Sequence, residues 1–278
     1  MRKSILMAVA AAFMCGCEKD PANGDKSTAT GVEMTEVRMT FTPYDVEVMT
    51  RAAVVDYATR LDVWIYDGDT EVQAVHQQST DDGFASLQVT LDKSKTYTVY
   101  ACAHKAAGAA TLNNGVVAWP DDKVTHSFWY SQTFSPSTTA TLSCLMERIV
   151  GNFRLMITDE VPDNVDHITV NIGQSPTRWD VSGFGVNIQE RSSIYTPAAG
   201  STPTLSAFII ADGDEAVNYN IVVTAYDDNG GVVQQQTFAD VPIRAGYRIT
   251  YRGDFFTGSS MTMSFTVNDW TDYETVDF

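Results

Sequence analysis

Residues 37–52 read VRMTFTPYDVEVMTRA, a stretch that combines a strand pattern with an arginine typical of a protease site. Val37, Met39 and Phe41 alternate with polar residues, which is the period of a strand buried on one face. Within ten residues of that strand, Arg51 precedes an alanine, and a trypsin-like protease cuts after arginine. The stretch therefore predicts a core strand placed next to a cleavage site.

The rest of the chain repeats the strand pattern in short segments separated by turns. Residues 61–66 form one such segment, and residues 165–172 alternate clearly between apolar and polar side chains. The segments 219–226 and 232–238 flank the sequence DDNGG, which predicts a hairpin because Asn-Gly accepts the positive φ angles of a tight turn. No helical period persists over more than three turns. We therefore expect an all-β protein built from sandwich-like units.

One longer apolar run, residues 145–158, has the length of a helix. Gly151 inside the run disfavours a helix. Ile149, Phe153 and Leu155 occupy the alternating positions of a strand. We therefore expect a strand here as well.

The N-terminus has the features of an export signal. Arg2 and Lys3 are followed by an apolar run over residues 5–14, which is too short to span a bilayer, since spanning takes about 20 residues. Cys17 follows the small residue Gly16, and this arrangement resembles the cleavage site of a bacterial lipoprotein. It implies lipid attachment at Cys17 and therefore anchoring to a membrane. The alternative is an ordinary secretory signal that is cleaved elsewhere.

The composition excludes one class of partner. The chain carries 35 acidic and 18 basic residues, a formal net charge of −17, and no basic cluster. Binding to nucleic acid needs lysine and arginine to displace counterions, so no nucleic-acid partner is expected. Residues 20–31, which follow the signal, have no periodicity and are typical of a flexible tether. No later segment is apolar over enough residues to span a membrane.

No local motif for catalysis, metal binding or a cofactor is present. The four histidines, His76, His104, His126 and His167, do not have the spacing of metal ligands. The chain contains no nucleophile elbow and no phosphate-binding glycine loop. We therefore expect a protein that is not an enzyme and that carries neither a metal nor a cofactor.

Two cysteines besides Cys17 remain after processing. Cys102 and Cys144 both lie in apolar stretches with a strand pattern. In an exported protein they form either a disulfide or two buried free thiols, and the sequence leaves both alternatives open.

The region 116–134 is rich in aromatic residues and is expected to be a loop. Trp119, Trp129 and Tyr130 within it either form a platform for stacking sugars or pack in the protein interior. Packing is the simpler interpretation of the two.

Several segments taken together, in this order, resemble the fimbrillin family of Bacteroidales, the subunits and accessory proteins of type V pili. Besides the signal at Cys17, they are TRAAV (50–54), RLDVWIYDGD (60–69), KTYTVYACA (95–103), LMERIVGNFRLMITDEVPDNVDHITVNI (145–172), VPIRAGYRITYRGDFF (241–256) and SFTVNDW (264–270). Each motif is loose, but the ordered set spans nearly the whole chain.

The resemblance implies two tandem transthyretin-like β-sandwich domains after a lipoprotein signal peptide. The divisions expected from it are a signal peptide at 1–16, a tether and removable first strand at 17–51, an N-terminal domain at 52–144 and a C-terminal domain at 145–278.

The resemblance also implies a route of assembly. In this family an Arg-specific protease cuts after the first strand, and a strand from a neighbouring subunit fills the groove that is left. Here the cut would fall between Arg51 and Ala52, and the displaced strand would contain Val37, Met39 and Phe41. The partners implied are other fimbrillin subunits, the processing protease, a membrane before processing, and a host or bacterial surface ligand.

Two C-terminal segments are candidates for the donor strand. Met261, Met263, Phe265 and Val267 form an apolar stripe, and the sequence MSFT within it is similar to MTFT at residues 39–42. Residues 273–278 are the other candidate. Two functions remain as alternatives to a polymerising subunit: an anchor lipoprotein that is never cut, and a surface lipoprotein that binds a glycan or a host protein.

Overall fold

Strands joined by short turns make up most of this computed structural model. The structure describes residues 32–44, 54–211, 213, 215–257 and 264–269. All the described strands belong to one compact unit that begins at Glu33. The all-β class and its sandwich layers are confirmed.

The N-terminal half, residues 33–148, contains the first nine described strands. They are β1 (Met34–Pro43), β2 (Arg60–Asp67), β3 (Thr70–Gln78), β4 (Ser86–Asp92), β5 (Tyr97–His104), β6 (Thr111–Asn113), β7 (Val116–Ala118), β8 (Ser127–Phe134) and β9 (Thr141–Arg148). One helical turn, α1 (Val54–Tyr57), precedes β2, and a 3-10 turn at Pro120–Asp122 follows β7.

The C-terminal half begins at Ile149 and contains the remaining strands. They are β10 (Val150–Ile157), β11 (His167–Asp180), β12 (Phe184–Tyr195), β13 (Thr204–Ile210), β14 (Val217–Tyr226), β15 (Val232–Ile243), β16 (Tyr247–Gly253) and β17 (Ser264–Asp269).

Seven strands of the N-terminal half form one sheet, in the order β3–β2–β5–β8–β9–β1–β4. The joint between β8 and β9 is narrow, since only Phe128 pairs with Arg148 and Trp129 with Glu147. The two parts of the sheet, β3–β2–β5–β8 and β9–β1–β4, both contribute side chains to one apolar core. The sheet therefore closes on itself in the manner of a sandwich.

The C-terminal half is also layered, but its layers are two separate sheets. One sheet has the order β13–β10–β16–β17, and the other has the order β15–β14–β11–β7–β6, with β12 also pairing with β11. Strand β10 is antiparallel to β13 and parallel to β16, just as β1 is antiparallel to β4 and parallel to β9. The first strand of each half thus lies between an antiparallel and a parallel neighbour. The sequence carries no visible repeat that corresponds to this one.

The two halves share a sheet and a core. The short strand β7 comes from the N-terminal half but pairs with β11, so that Trp179 lies opposite Val117. A second apolar cluster contains Trp179 together with Trp64, Trp119 and Trp129. The expected division between residues 144 and 145 falls within β9.

The structure explains two local features of the sequence. A Cβ at Gly151 would lie 2.5 Å from the carbonyl oxygen of Arg244, so β10 needs a glycine where it passes the segment before β16. In the DDNGG turn, only Gly230 takes a positive φ, of 78°. Asp227 accepts hydrogen bonds from the N–H groups of Asn229 and Gly231, which makes this an Asx-stabilised turn rather than a two-residue Asn-Gly turn.

The aromatic region 116–134 is not the loop that the sequence predicts. Residues 116–118 and 127–134 are strands β7 and β8. The loop interpretation failed because polar residues break the apolar alternation at the exposed end of β8, where Ser131, Gln132 and Thr133 lie on the surface.

The buried carboxylate of Asp62 holds the loop that leads to β6 through hydrogen bonds. Asp62 on β2 is fully buried, and its two oxygens lie 2.7 Å from Nδ1 of His76 and 2.7 Å from Nε2 of His104. The N–H of Ala110 donates to the same carboxylate at 2.7 Å. Because Nδ1 of His104 accepts the N–H of Ala106, Nε2 is the protonated nitrogen and donates to Asp62.

A second carboxylate holds the chain after β16. Asp159 accepts hydrogen bonds from the N–H groups of Phe255, Phe256 and Thr257, at 2.6–2.8 Å. Burial acts to raise the pKa of Asp159, but these bonds, with one from the Thr257 hydroxyl, outweigh burial and lower that pKa. Asp159 therefore fixes the start of the segment that leads to β17.

Replacing Asp62 with alanine is expected to lower the free energy of unfolding by about 2–6 kcal/mol, because the buried donors of His104 and Ala110 then lose their acceptor, at about 1–3 kcal/mol each. Asp62→Asn keeps one acceptor oxygen and should cost less. Urea denaturation measures both. Asp69→Ala, at an exposed turn position, is the control and should lie within about 0.5 kcal/mol of the wild type. A loss below about 1 kcal/mol in Asp62→Ala would show that the carboxylate is dispensable.

Asp159→Asn is expected to cost about 1 kcal/mol at pH 7, a value that allows for solvent screening of this partly exposed group. The folded-state pKa of Asp159 is depressed, so its contribution is full above the unfolded value of about 3.9 and is lost as the pH falls through the folded value. Urea denaturation at pH 7 and at pH 3 should therefore show the difference from wild type narrowing in acid. Glu160→Gln, at the exposed neighbour, is the control. A difference that is equal at both pH values would contradict this role.

A strand groove around β1 as the candidate functional site

Strand β1 is the central strand of its part of the sheet. It pairs with β4 from Met34 opposite Asp92 to Thr40 opposite Ser86, and with β9 from Arg38 opposite Thr141 to Pro43 opposite Met146. Its backbone N–H and C=O groups therefore bond on both sides over the middle of the strand. Without β1, the edges of β4 and β9 would be left unpaired on the two sides of a groove.

The side chains of β1 fill the core as the sequence predicts. Val37 and Met39 are fully buried and Phe41 is 1% exposed. Burial of each such side chain contributes about 1.5–3 kcal/mol. The ring of Phe41 meets that of Tyr130 edge to face, with 6.5 Å between the centroids. The floor of the groove is thus apolar, with three sites for alternate side chains.

Both ends of β1 are fastened by further contacts. Lys93 forms a 2.8 Å ion pair with Glu33, and the N–H of Tyr44 donates to the carbonyl oxygen of Met146 at 2.7 Å. The chain re-enters the same core at Val54, which is 2% exposed. Only residues 45–53 connect β1 to the rest of its half.

Several predicted site residues lie outside the described residues. These are the lipidation residue Cys17, the cleavage residues Arg51 and Ala52, and the first two residues of the donor stripe, Met261 and Met263. Their roles stay predictions.

The remaining donor residues lie on β17, at the outer edge of the C-terminal four-stranded sheet. Phe265 pairs with Tyr251 of β16, and Val267 pairs with Ile249. Within the part of the chain that the structure describes, β17 pairs only with β16. It is thus held on one side, whereas β1 is held on two.

The aromatic residues do not form a sugar platform. Trp119 is 2% and Trp129 is 8% exposed, and both lie in the cluster between the halves. Tyr130 points to the other side of β8, toward Phe41. The packing interpretation is confirmed, and the three side chains do not share one exposed face.

The two cysteines are free thiols, each buried in a different core. Cys102 lies in the tryptophan cluster, while Cys144 on β9 lies opposite Phe41 in the groove. Burial raises the pKa of the Cys144 thiol to about 12. Neither thiol is therefore reactive at neutral pH.

Sequence reasoning missed the role of Asp62. The only available signal is an acidic residue at an interior position of an otherwise apolar strand, LDVWIY. Among the described residues, no group of three or more His, Cys, Asp or Glu side chains is arranged to hold a metal ion. The described helices include none with the length and apolar character needed to cross a membrane.

Solved structures share this fold. A candidate polysaccharide-binding protein from Bacteroides thetaiotaomicron has a TM-score of 0.54 and 13% identity, over 84% of this chain and 96% of that chain. A candidate adhesin from Bacteroides ovatus has a TM-score of 0.53 and 11% identity, over 85% and 94%. Another candidate adhesin, from Bacteroides thetaiotaomicron, has a TM-score of 0.52 and 13% identity, over 84% and 96%. At these identities the likeness shows the fold alone.

A comparison with curated proteins gives no significant match. A family model described as fimbrillin-A associated anchor proteins Mfa1 and Mfa2 matches residues 27–275. The match includes β1, both halves and β17. The chain therefore belongs to the family of fimbrillin-A associated anchor proteins.

Proposed function

We propose that this protein is a surface component of a fimbria, exported as a lipoprotein through Cys17, whose N-terminal half accepts a strand from a neighbouring subunit in place of β1. The observation that carries the proposal is the position of β1. It is the first of the described strands, yet it lies between two other strands, β4 and β9, rather than at an edge. A single cut in residues 45–53 would leave it held without a covalent bond.

The groove suits a strand with the pattern of β1. Three apolar side chains fill it, and the exposed Arg38 and Thr40 between them point to solvent. A donor strand would restore the hydrogen bonds to β4 and β9 and would place alternate side chains in the same sites, which is strand addition. The joint would be long-lived, since its release would expose an apolar stripe to water.

The donor would come from the C-terminus of a neighbouring subunit. Strand β17 is one candidate, because leaving β16 would break pairing along one side only. Asp159 would hold the preceding segment, Phe255–Thr257, against the body while β17 moves. Residues 273–278 are the alternative donor.

The second candidate function is an anchor. The family description names anchor proteins, and an anchor would keep both the lipid on Cys17 and strand β1 in its groove. Such a protein would attach a fimbria to the membrane and contact other subunits without being cut. In either case the protein is not expected to be an enzyme. As a structural or tip subunit, its role would be adhesion to a host or bacterial surface.

The state of the N-terminus separates the two candidates. For a polymerising subunit, N-terminal sequencing of protein taken from the cell surface should give a start at Ala52, and Arg51→Ala should abolish that start and the assembly of fimbriae. Arg60→Ala, at the next arginine along the chain, is the control and should be processed normally. A blocked, lipid-modified Cys17 on the mature protein would establish the anchor instead. Normal fimbriae from Arg51→Ala would rule out cleavage at this site.

Locking β1 in place tests strand replacement directly. Thr40 and Ser86 are paired, exposed residues on β1 and β4. The neighbouring Phe41 N–H donates to Ala85, so Thr40 and Ser86 form a non-hydrogen-bonded pair with Cα atoms about 4.5 Å apart, within the range of a disulfide. The double variant Thr40→Cys/Ser86→Cys should prevent detergent-resistant polymers under oxidising conditions, and a reductant should restore them.

The matched control is a disulfide that leaves β1 free. Thr98 and Thr133 pair across β5 and β8, with their hydroxyl oxygens 2.9 Å apart. Thr98→Cys/Thr133→Cys should polymerise with or without reductant. Polymers that form equally well with β1 cross-linked would disprove its replacement.

A further inference from the structure

A cavity with a volume of about 680 Å³ lies between β12, β13 and the segment before β8. Its walls are residues 189–195, 206–208 and 121–125. This volume is within the range of about 300–1,000 Å³ that is typical of small-molecule sites. The cavity is remote from β1 in the topology, since none of its walls belongs to the sheet that β1 completes.

Arg191 on β12 lines this cavity with a guanidinium that has only neutral partners. Its Nε donates to the hydroxyl oxygen of Ser175 at 3.1 Å, and its Nη2 donates to the carbonyl oxygen of Phe208 at 2.8 Å. Among the described residues, no carboxylate forms an ion pair with it. By contrast, Arg178 on β11 binds Asp122 through two hydrogen bonds, at 2.8 and 3.1 Å.

The lack of a negatively charged partner affects the pKa of Arg191. Burial lowers the pKa of Arg191 to about 10, since no carboxylate offsets the loss of water. A guanidinium has five N–H donors, and the bonds to Ser175 and Phe208 use two of them. A carboxylate entering the cavity would supply both the missing charge and two acceptors in the fork geometry that arginine prefers.

The other cavity residues suit hydroxyl groups. Thr125 and Ser193 offer hydroxyls, and Asp121 and Glu190 offer carboxylates that accept from hydroxyl donors. Phe208 provides an aromatic edge, and its ring is stacked on that of His126, with centroids 5.7 Å apart. Two other charged side chains line the cavity, Asp122, which is bound to Arg178, and Lys123. The carboxylates of Asp121 and Glu190 disfavour a ligand that is only an anion, such as a bare phosphate, and favour one with a single carboxylate among many hydroxyls.

We propose that this cavity binds a carboxylate-bearing sugar, with Arg191 as the residue that binds the carboxylate. The class includes sialic acids and uronic acids, which share this chemistry and come from different surfaces. The proposal does not depend on whether β1 is cut or replaced. It would give the fimbrial component a ligand on its C-terminal half.

Isothermal titration calorimetry with the full mature chain tests the proposal. The probes are N-acetylneuraminic acid and glucuronic acid, with galactose as the neutral sugar and acetate as the carboxylate alone. At least one acidic sugar should bind, and Arg191→Gln should weaken that binding by about tenfold or more. Arg191→Lys keeps the charge but loses the fork and should give an intermediate affinity.

Arg60→Gln is the matched control. Like Arg191, Arg60 donates two hydrogen bonds to a neutral acceptor, the carbonyl oxygen of Ala107, at 3.1 and 2.8 Å, but it does not line the cavity. The Arg60→Gln variant should bind the acidic sugar as the wild type does. Circular dichroism and urea denaturation confirm that each variant is folded.

Four results would each overturn the proposal. They are failure of both acidic sugars to bind the wild type, equal binding by a folded Arg191→Gln variant, equal binding of galactose, and equal binding of acetate. The preferred sugar among those that bind separates the two sources: N-acetylneuraminic acid indicates a host glycan, and glucuronic acid indicates a uronate-containing polysaccharide.

Discussion

The N-terminal half depends on the pairing of its first strand with two others. β1 fills the space between β4 and β9 and supplies Val37, Met39 and Phe41 to the core. A strand in this position satisfies backbone groups on both neighbours and covers an apolar floor at once. Removing β1 would therefore expose two strand edges and a hydrophobic surface together. Both are unfavourable in water unless another segment covers them. In the proposed function, a cut before α1 would therefore act as a signal for assembly.

The first strand of the C-terminal half, β10, has the same arrangement of neighbours as β1 but is connected to the chain differently. β10 lies between β13 and β16 as β1 lies between β4 and β9. However, β10 is joined to β9 through the single residue Ile149, so the chain continues on both of its sides and no end is free to leave. The proposed strand exchange would therefore involve the first strand of the N-terminal half and not β10. In the C-terminal half the proposed donor is the edge strand β17, whose release would leave β13, β10 and β16 paired.

The sequence predicts those features that a local pattern determines. Alternation places Val37, Met39 and Phe41 in the core, and Gly230 marks its hairpin. The features that were missed are contacts between segments far apart in sequence. Asp62 meets His104 from another strand, and Arg191 meets Phe208 across two sheets. For Asp62 the sequence offers only its interior position in an apolar strand, and for Arg191 it offers no signal that separates a buried, bonded charge from a solvated one. The arrangement of strands that the two halves share also could not be predicted from the sequence. Strand pairing depends on backbone geometry and is compatible with many different side chains.

Among the described residues, the outer edge of β13 is covered by side chains rather than by another strand. The outer edge of β13 would offer the carbonyl oxygens of Ser206 and Phe208 to an incoming strand. Tyr195 and Arg191 on β12 donate to those two oxygens, so side chains already cap this edge. An edge covered by side chains would stay covered after a cut in residues 45–53, whereas the proposed replacement of β1 starts from such a cut. The same arginine that caps β13 also brings an uncompensated charge into the neighbouring cavity. Arg191 thus covers part of the β13 edge and also lines the cavity proposed to bind an acidic sugar, so both proposals place that ligand apart from the groove of β1.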